Sequence, residues 1–153
     1  MIFERLYNND KTVLTFHKDF NQSLDSVIFA DSLQTIIFGR RFNQPLDNTN
    51  FPCTLQVIIF GSCFNQPLNI IKFPLNFRAI TFGQNYKQSL DNLPCSLEKL
   101  TFYSINNNVT NLPISVTQIK ITEYNVQSSI KKLLKIPYGC KVLDAHDNEI
   151  KIE

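Results

Sequence analysis

The chain has 153 residues, of which 43% are hydrophobic and 18% charged, a composition that supports one packed domain and excludes charge-driven disorder. Its formal charge of +2 is spread evenly, with 6 basic and 6 acidic residues in 1–75 and 9 basic and 7 acidic in 76–153. That distribution gives no dense basic face for nucleic acid, and no apolar stretch has the length of a membrane span or a signal peptide.

Residues 1–11 read as an N-terminal partial unit or cap. Ile2, Phe3 and Leu6 are too few for a complete polar cap, so residues 1–20 are the expected adhesive edge of any homo-oligomer. From residue 12 onward the chain repeats. Phe20-Asn21-Gln22-Ser23-Leu24 returns as Phe42-Asn43-Gln44-Pro45-Leu46, as Phe64-Asn65-Gln66-Pro67-Leu68 and, altered, as Tyr86-Lys87-Gln88-Ser89-Leu90, each 22 residues on. Phe16, Phe38, Phe60 and Phe82 keep the same interval, with Phe102 two residues early, and Gly39, Gly61 and Gly83 follow three of these rings. Leu33, Leu55, Phe77, Leu97 and Val116 form a further column, each three residues after Ala30 or a proline.

Within a unit, Leu33–Phe38 is rich in β-branched and aromatic residues and ends at Gly39, which predicts a strand and a turn. Equivalent strands are predicted at 12–16, 56–60, 78–82, 98–102 and 117–121. The other half of the unit, with Pro45 and Pro52 in the second repeat, cannot be a continuous helix and is expected to return as turns and extended chain. A single strand and return limb cannot bury an apolar face alone, so the units are expected to stack about 4.8 Å apart as a β-rich solenoid with one parallel sheet.

Strand parity places the Ile36, Ile58, Ile80, Leu100 and Phe38, Phe60, Phe82, Phe102 series inside, with Leu46, Leu68 and Leu90 entering from the return limb. Asn21, Asn43 and Asn65 are expected to form an amide ladder between coils that Lys87 interrupts. Cys53 and Cys95, in register with Leu75 and Ile114, are assigned to a core column. Farther on, Ser128 or Ser129 caps a short predicted helix whose apolar face holds Ile130, Leu133 and Leu134, leaving Lys131, Lys132 and Lys135 solvated. Residues 138–153 are expected to close the stack as a hairpin, Val142–Ala145 against Glu149–Ile152.

These repeats resemble the FNIP repeat family, named for its Phe-Asn-x-Pro signature, over roughly residues 12–137, about six units. The resemblance implies a leucine-rich-repeat-like stack and an interaction module. Such proteins are known mainly from social amoebae and giant DNA viruses, often behind an F-box that recruits a ubiquitin ligase, so a target-binding part of a ubiquitin-ligase adaptor system is implied. Residues 1–11 are shorter than an F-box, and Ile105–Pro113 lacks the signature.

No catalytic constellation stands out. His17 reads as an exposed turn histidine two coils from Cys63, His146 as part of a polar turn, and the glycines lie 22 apart rather than clustered as a phosphate loop. The cysteines show no metal-finger spacing. The expectation is a cytoplasmic, non-enzymatic protein without cofactor or metal, partnered by another protein and by neither nucleic acid nor membrane. Its site is the outward face of the sheet, where Val13, Thr35, Ile37, Val57, Ile59, Ala79 and Thr81 lie with Gln34, Gln56 and Arg78 at the rim. A structural protein whose repeats drive self-assembly is the alternative.

Overall fold

A computed structural model describes residues 6–152. The strands are β1 (Val13–Thr15), β2 (Thr35–Ile37), β3 (Val57–Ile59), β4 (Ala79–Phe82), β5 (Lys99–Phe102), β6 (Gln118–Ile121) and β7 (Lys141–Leu143), with one helical turn, α1 (Gln127–Ile130), before the last. They form a single parallel sheet in sequence order, with β1 and β7 at its edges. Leu14, Ile36, Ile58 and Ile80 are in direct register at the predicted 22-residue interval, and Leu100, Ile119 and Val142 continue the row at intervals of 20, 19 and 23. The irregular lengths are absorbed in the return limbs. The result is the predicted solenoid.

The core follows strand parity. All seven residues of that row are 2% exposed or less, as are Leu33, Leu55, Phe77, Leu97 and Val116 from the turn before each strand. Leu46 and Leu68 are buried as expected, whereas Leu90 is half-buried. Cys53, Cys95, Leu75 and Ile114 are not core residues: all four are exposed, Leu75 and Ile114 at 92%. They occupy the first corner position of tight turns closed by Leu55, Leu97, Phe77 and Val116 amides onto proline carbonyls, and a corner residue points outward whatever its hydrophobicity.

Two parallel stacks of rings fill the corner after each strand. Phe16, Phe38, Phe60, Phe82 and Phe102 run along the solenoid with centroids 5.3–6.1 Å apart, and Phe20, Phe42, Phe64 and Tyr86 do the same at 6.0–6.1 Å. The stacks touch within each of the first four coils, most closely at Phe60–Phe64, 3.7 Å. Such pairs add roughly 0.5–1.5 kcal/mol each to the burial of their area. Burial raises the pKa of the Tyr86 hydroxyl.

Polar ladders tie the coils outside this core. The amides of Asn43, Asn65 and Lys87 each donate to the side-chain oxygen of the Asn one coil earlier, Asn21, Asn43 and Asn65, at 2.8 Å. Gln44, Gln66 and Gln88 reach back to the same asparagines. Lys87 therefore completes one rung through its amide but its side chain offers no acceptor for the next, and Asn106 and Asn107 take over by donating to the Tyr86 and Lys87 carbonyls. A second ladder was not foreseen. Ser32, Thr54, Asn76, Ser96 and Ser115 donate to carbonyls of Lys11, Asp31, Cys53, Phe77 and Leu97 in the preceding coil.

Among the described residues one buried polar side chain is orphaned. Thr49 is 5% exposed and its hydroxyl has no hydrogen-bond partner, while Val27 and Ile71 occupy the equivalent turn position in neighbouring coils. Thr49→Val keeps the shape and removes the unpaired hydroxyl. Chemical denaturation is expected to show a gain of about 1 kcal/mol or more; a loss would mean that the hydroxyl is satisfied.

Both ends fold back antiparallel. Tyr7 bridges Leu14, and the Asn8 amide donates to the Val13 carbonyl at 3.0 Å while the Asn8 side chain accepts from the Val13 amide. The Asp10 carboxyl in that turn is held below its ordinary pKa by the Thr12 hydroxyl and amide. The expected edge residues Ile2 and Phe3 lie outside the described residues. At the other end, β7 belongs to the parallel sheet, and the chain then turns so that Leu143 bridges Glu149 and the Ile150 amide reaches the Val142 carbonyl at 2.7 Å. Asp144 builds this turn by accepting from the His146 and Asn148 amides and the Asn148 side chain. The Asn148 contacts lead in lowering its pKa.

The helix differs from its sequence expectation. It ends at Ile130; Lys131 and Lys132 form a turn, Leu133 makes a parallel bridge to Val109, and the three apolar residues share no helical face. Ser129 lies inside the helix and is fully buried; its hydroxyl donates to Glu123 and accepts from the Ile105 amide at 2.7 Å. A serine that bridges two segments in this way serves tertiary packing rather than capping.

Candidate functional site

The sheet has one face in the core and one face outward. Registered pairing aligns Val13, Thr35, Val57, Ala79, Lys99, Gln118 and Lys141 in one outward column and Thr15, Ile37, Ile59, Thr81, Thr101, Lys120 and Leu143 in the other. Val13, Thr35, Ile37, Val57, Ile59, Ala79 and Thr81 are all intermediate in exposure. Each is covered by its neighbours along the sheet yet open on its outer side. Branched residues on adjacent strands, about 4.8 Å apart, necessarily form one continuous surface.

Gln34, Gln56 and Arg78 sit one residue before their strands. Their carbonyls accept paired amide bonds from the next coil: Gln34 from Gln56 and Val57, and Gln56 from Arg78 and Ala79. These bonds fix the backbone and leave the side chains along one margin of the face. The margin continues beyond what the sequence reading singled out, because Arg78 pairs with Glu98, neutralising both.

Toward the C-terminus the face changes character. Lys99, Lys120 and Lys141 replace the aliphatic residues, Lys120 pairing with Asp147 at 2.7 Å and Lys141 with Glu149 at 3.7 Å. The C-terminal fold-back therefore presents acidic side chains to this end of the sheet. Apart from Leu143 on the last strand, the aliphatic residues of the face lie in the early coils. Alternation along single strands reveals that arrangement, but the partners from residues 147 and 149 are visible only in three dimensions.

The groups considered for chemistry remain separate. His17 is exposed, accepts the Asp19 amide at its Nδ1 and lies 3.6 Å from the Asp19 carboxylate. Arg41 approaches the same carboxylate at 3.3 Å. Among the described residues no cluster of three or more His, Cys, Asp or Glu could hold a metal ion, and no helix is long and apolar enough to cross a membrane.

A parallel sheet of single strands joined by non-helical limbs, with stacked phenylalanines and asparagine rungs, defines a leucine-rich-repeat-like solenoid. The FNIP Repeat family model matches residues 12–63 and 64–104, more than half of the chain, and the chain belongs to that family. The matched region ends where the intervals shorten, short of the expected boundary at residue 137, although the coils themselves continue to β7. Among solved structures the chain is similar to one described as CroV588, a novel circular LRR protein, with a TM-score of 0.65 and 27% identity over 86% of this chain. This chain spans 20% of the length of that protein. No curated protein matches it.

Proposed function

We propose that this chain is a non-enzymatic module that binds a protein partner on the outward face of its sheet, in the cytoplasm, as a target-selecting element of the ubiquitin-ligase type the family resemblance implies. The observation that carries this reading is the adjacency of Val13, Ile37, Val57 and Ile59 on three neighbouring strands, outside the core and flanked by Gln34, Gln56 and the Arg78–Glu98 pair. A solvated face needs no aliphatic residues in either column, whereas an interface gains about 25 cal/mol for each Å² of apolar surface it covers. The polar margin would then set orientation.

Ile37→Asp and Ile59→Asp test the reading. Circular dichroism and melting are expected to match the wild type, because neither side chain enters the core. Partner retention from the native host is expected to fall below detection in both variants. Retention unchanged by either charge would refute the site. Growth of mass with protein concentration, abolished by the same substitutions, would replace the foreign partner with self-assembly.

A further inference from the structure

The corner that opens each strand repeats a turn in which a short polar side chain staples one coil to the coil before it. In the last coil the same turn is Pro137-Tyr138-Gly139-Cys140, closed by the Cys140 amide on the Pro137 carbonyl at 3.1 Å. Gly139 stands where Ser115, Ser96, Asn76, Thr54 and Ser32 stand earlier, and it supplies no donor. Its φ of +75° turns it away from the pattern, and a methyl group built there would meet nothing within 4 Å.

The staple is thus missing at one step. The two coils are held together on either side of the gap, by the Val109 amide on the Lys132 carbonyl at 2.7 Å and by the Lys141 amide on the Thr117 carbonyl at 2.9 Å. Between those ties, among the described residues, no hydrogen bond crosses from 110–116 to 136–140. A groove opens there, with Leu112, Ile114, Ile136, Pro137 and Tyr138 as its apolar lining. Ile114 and Tyr138 stand fully in solvent on its two banks, 92% and 107% exposed.

Its polar lining is selective. Lys135 lies at the groove and, like Lys131 before it, has no acidic partner among the described residues. Thr110 and Asn111 complete the wall with hydrogen-bonding side chains suited to an extended backbone. We propose that this groove takes an extended acidic peptide segment of a partner protein. One large apolar side chain seats between Ile114 and Tyr138, and neighbouring carboxylates face Lys135. The hydroxyl and amide groups of Thr110 and Asn111 in the lining favour a peptide, whose backbone they can bond, over a membrane. The site is separate from the outward sheet face and does not depend on it.

Titration of the ¹⁵N-labelled full chain with acetyl-Glu-Glu-Phe-Glu-Glu-amide tests the proposal residue by residue. Saturable shifts are expected in 110–114 and 135–138. Ile114→Ser, an exposed change that leaves the fold alone, is expected to weaken binding about tenfold, equivalent to about 1.4 kcal/mol. Lys135→Glu is expected to abolish it. No shifts, shifts on the sheet face instead, or equal shifts with a peptide carrying Ser for Phe or Lys for Glu would each overturn the proposal. Sedimentation of the wild type, but not Ile114→Ser, with phosphatidylcholine–phosphatidylserine vesicles in the absence of peptide shifts would also overturn it, in favour of a membrane surface.

Discussion

Gly61→Ala is expected to cost at least about 3 kcal/mol and to disorder the middle coils, at or beyond the upper range for overpacking a tight core. A Cβ at this position would lie 2.2 Å from the Gly39 carbonyl oxygen, 2.6 Å from its carbon and 2.8 Å from the Arg40 Cα. All three atoms are backbone, so no rotamer change relieves the collision. The coils cannot separate freely, because the Phe38 amide donates to the Ile59 carbonyl at 2.8 Å and the Cys63 amide to the Arg40 carbonyl at 2.9 Å on either side of the contact. The sign is diagnostic. Gly61 does not have the positive φ that forces glycine elsewhere, so chain entropy alone makes Gly→Ala stabilising by about 0.4–1 kcal/mol. Close coil approach makes it strongly destabilising. Denaturant unfolding decides between them, and a variant as stable as the wild type would refute the contact.

The same collision explains which coils carry the glycine. Gly39 and Gly83 would place a Cβ 2.1 and 2.3 Å from the carbonyl oxygens of His17 and Gly61. His17 itself opens the series. The fifth coil has Tyr103 at this position. Tyr103 continues the strand ladder there by donating to the Phe82 carbonyl at 3.0 Å, and a large side chain is accommodated. Glycine is therefore needed only where one coil's corner rests on another corner.

The fold was legible because a stack repeats its own environment. Phe16, Phe38, Phe60 and Phe82 meet the same neighbours at each level, so selection for one shape left one letter in a column. Periodicity does not by itself report direction, and for that reason Cys53, Leu75, Cys95 and Ile114 were misassigned. Their hydrophobicity suggested the core, whereas their place just after a proline, at a turn corner, sends them into solvent. The Ser32, Thr54, Asn76, Ser96, Ser115 ladder was hidden for the opposite reason. Its residues differ in name and share only a short donor side chain. The expected serine cap fails because Ser129 is engaged by the amide of Ile105, 24 residues earlier, which no local pattern encodes. Of the candidate site, strand parity yielded both outward columns, while the ion pairs that bound it depend on the C-terminal fold-back.

Phe60→Ala is expected to cost about 3–5 kcal/mol, the range for truncating a buried phenylalanine, and Phe102→Ala about 1 kcal/mol less. Burial does not distinguish them, since the rings are 3% and 2% exposed. The difference lies in the stacks. Phe60 stands between Phe38 and Phe82 at 5.3 and 6.1 Å and lies on Phe64 at 3.7 Å. Phe102 has Phe82 on one side at 5.3 Å, and the residue paired with it across the next strand is Ile121. Removing Phe60 therefore breaks one column in its middle and strips Phe64 of its closest ring, whereas removing Phe102 only shortens that column at its end. Both variants, unfolded in urea and compared at equal slope, give the difference directly. Equal losses would assign the stability to buried area alone and leave no separate contribution from ring stacking.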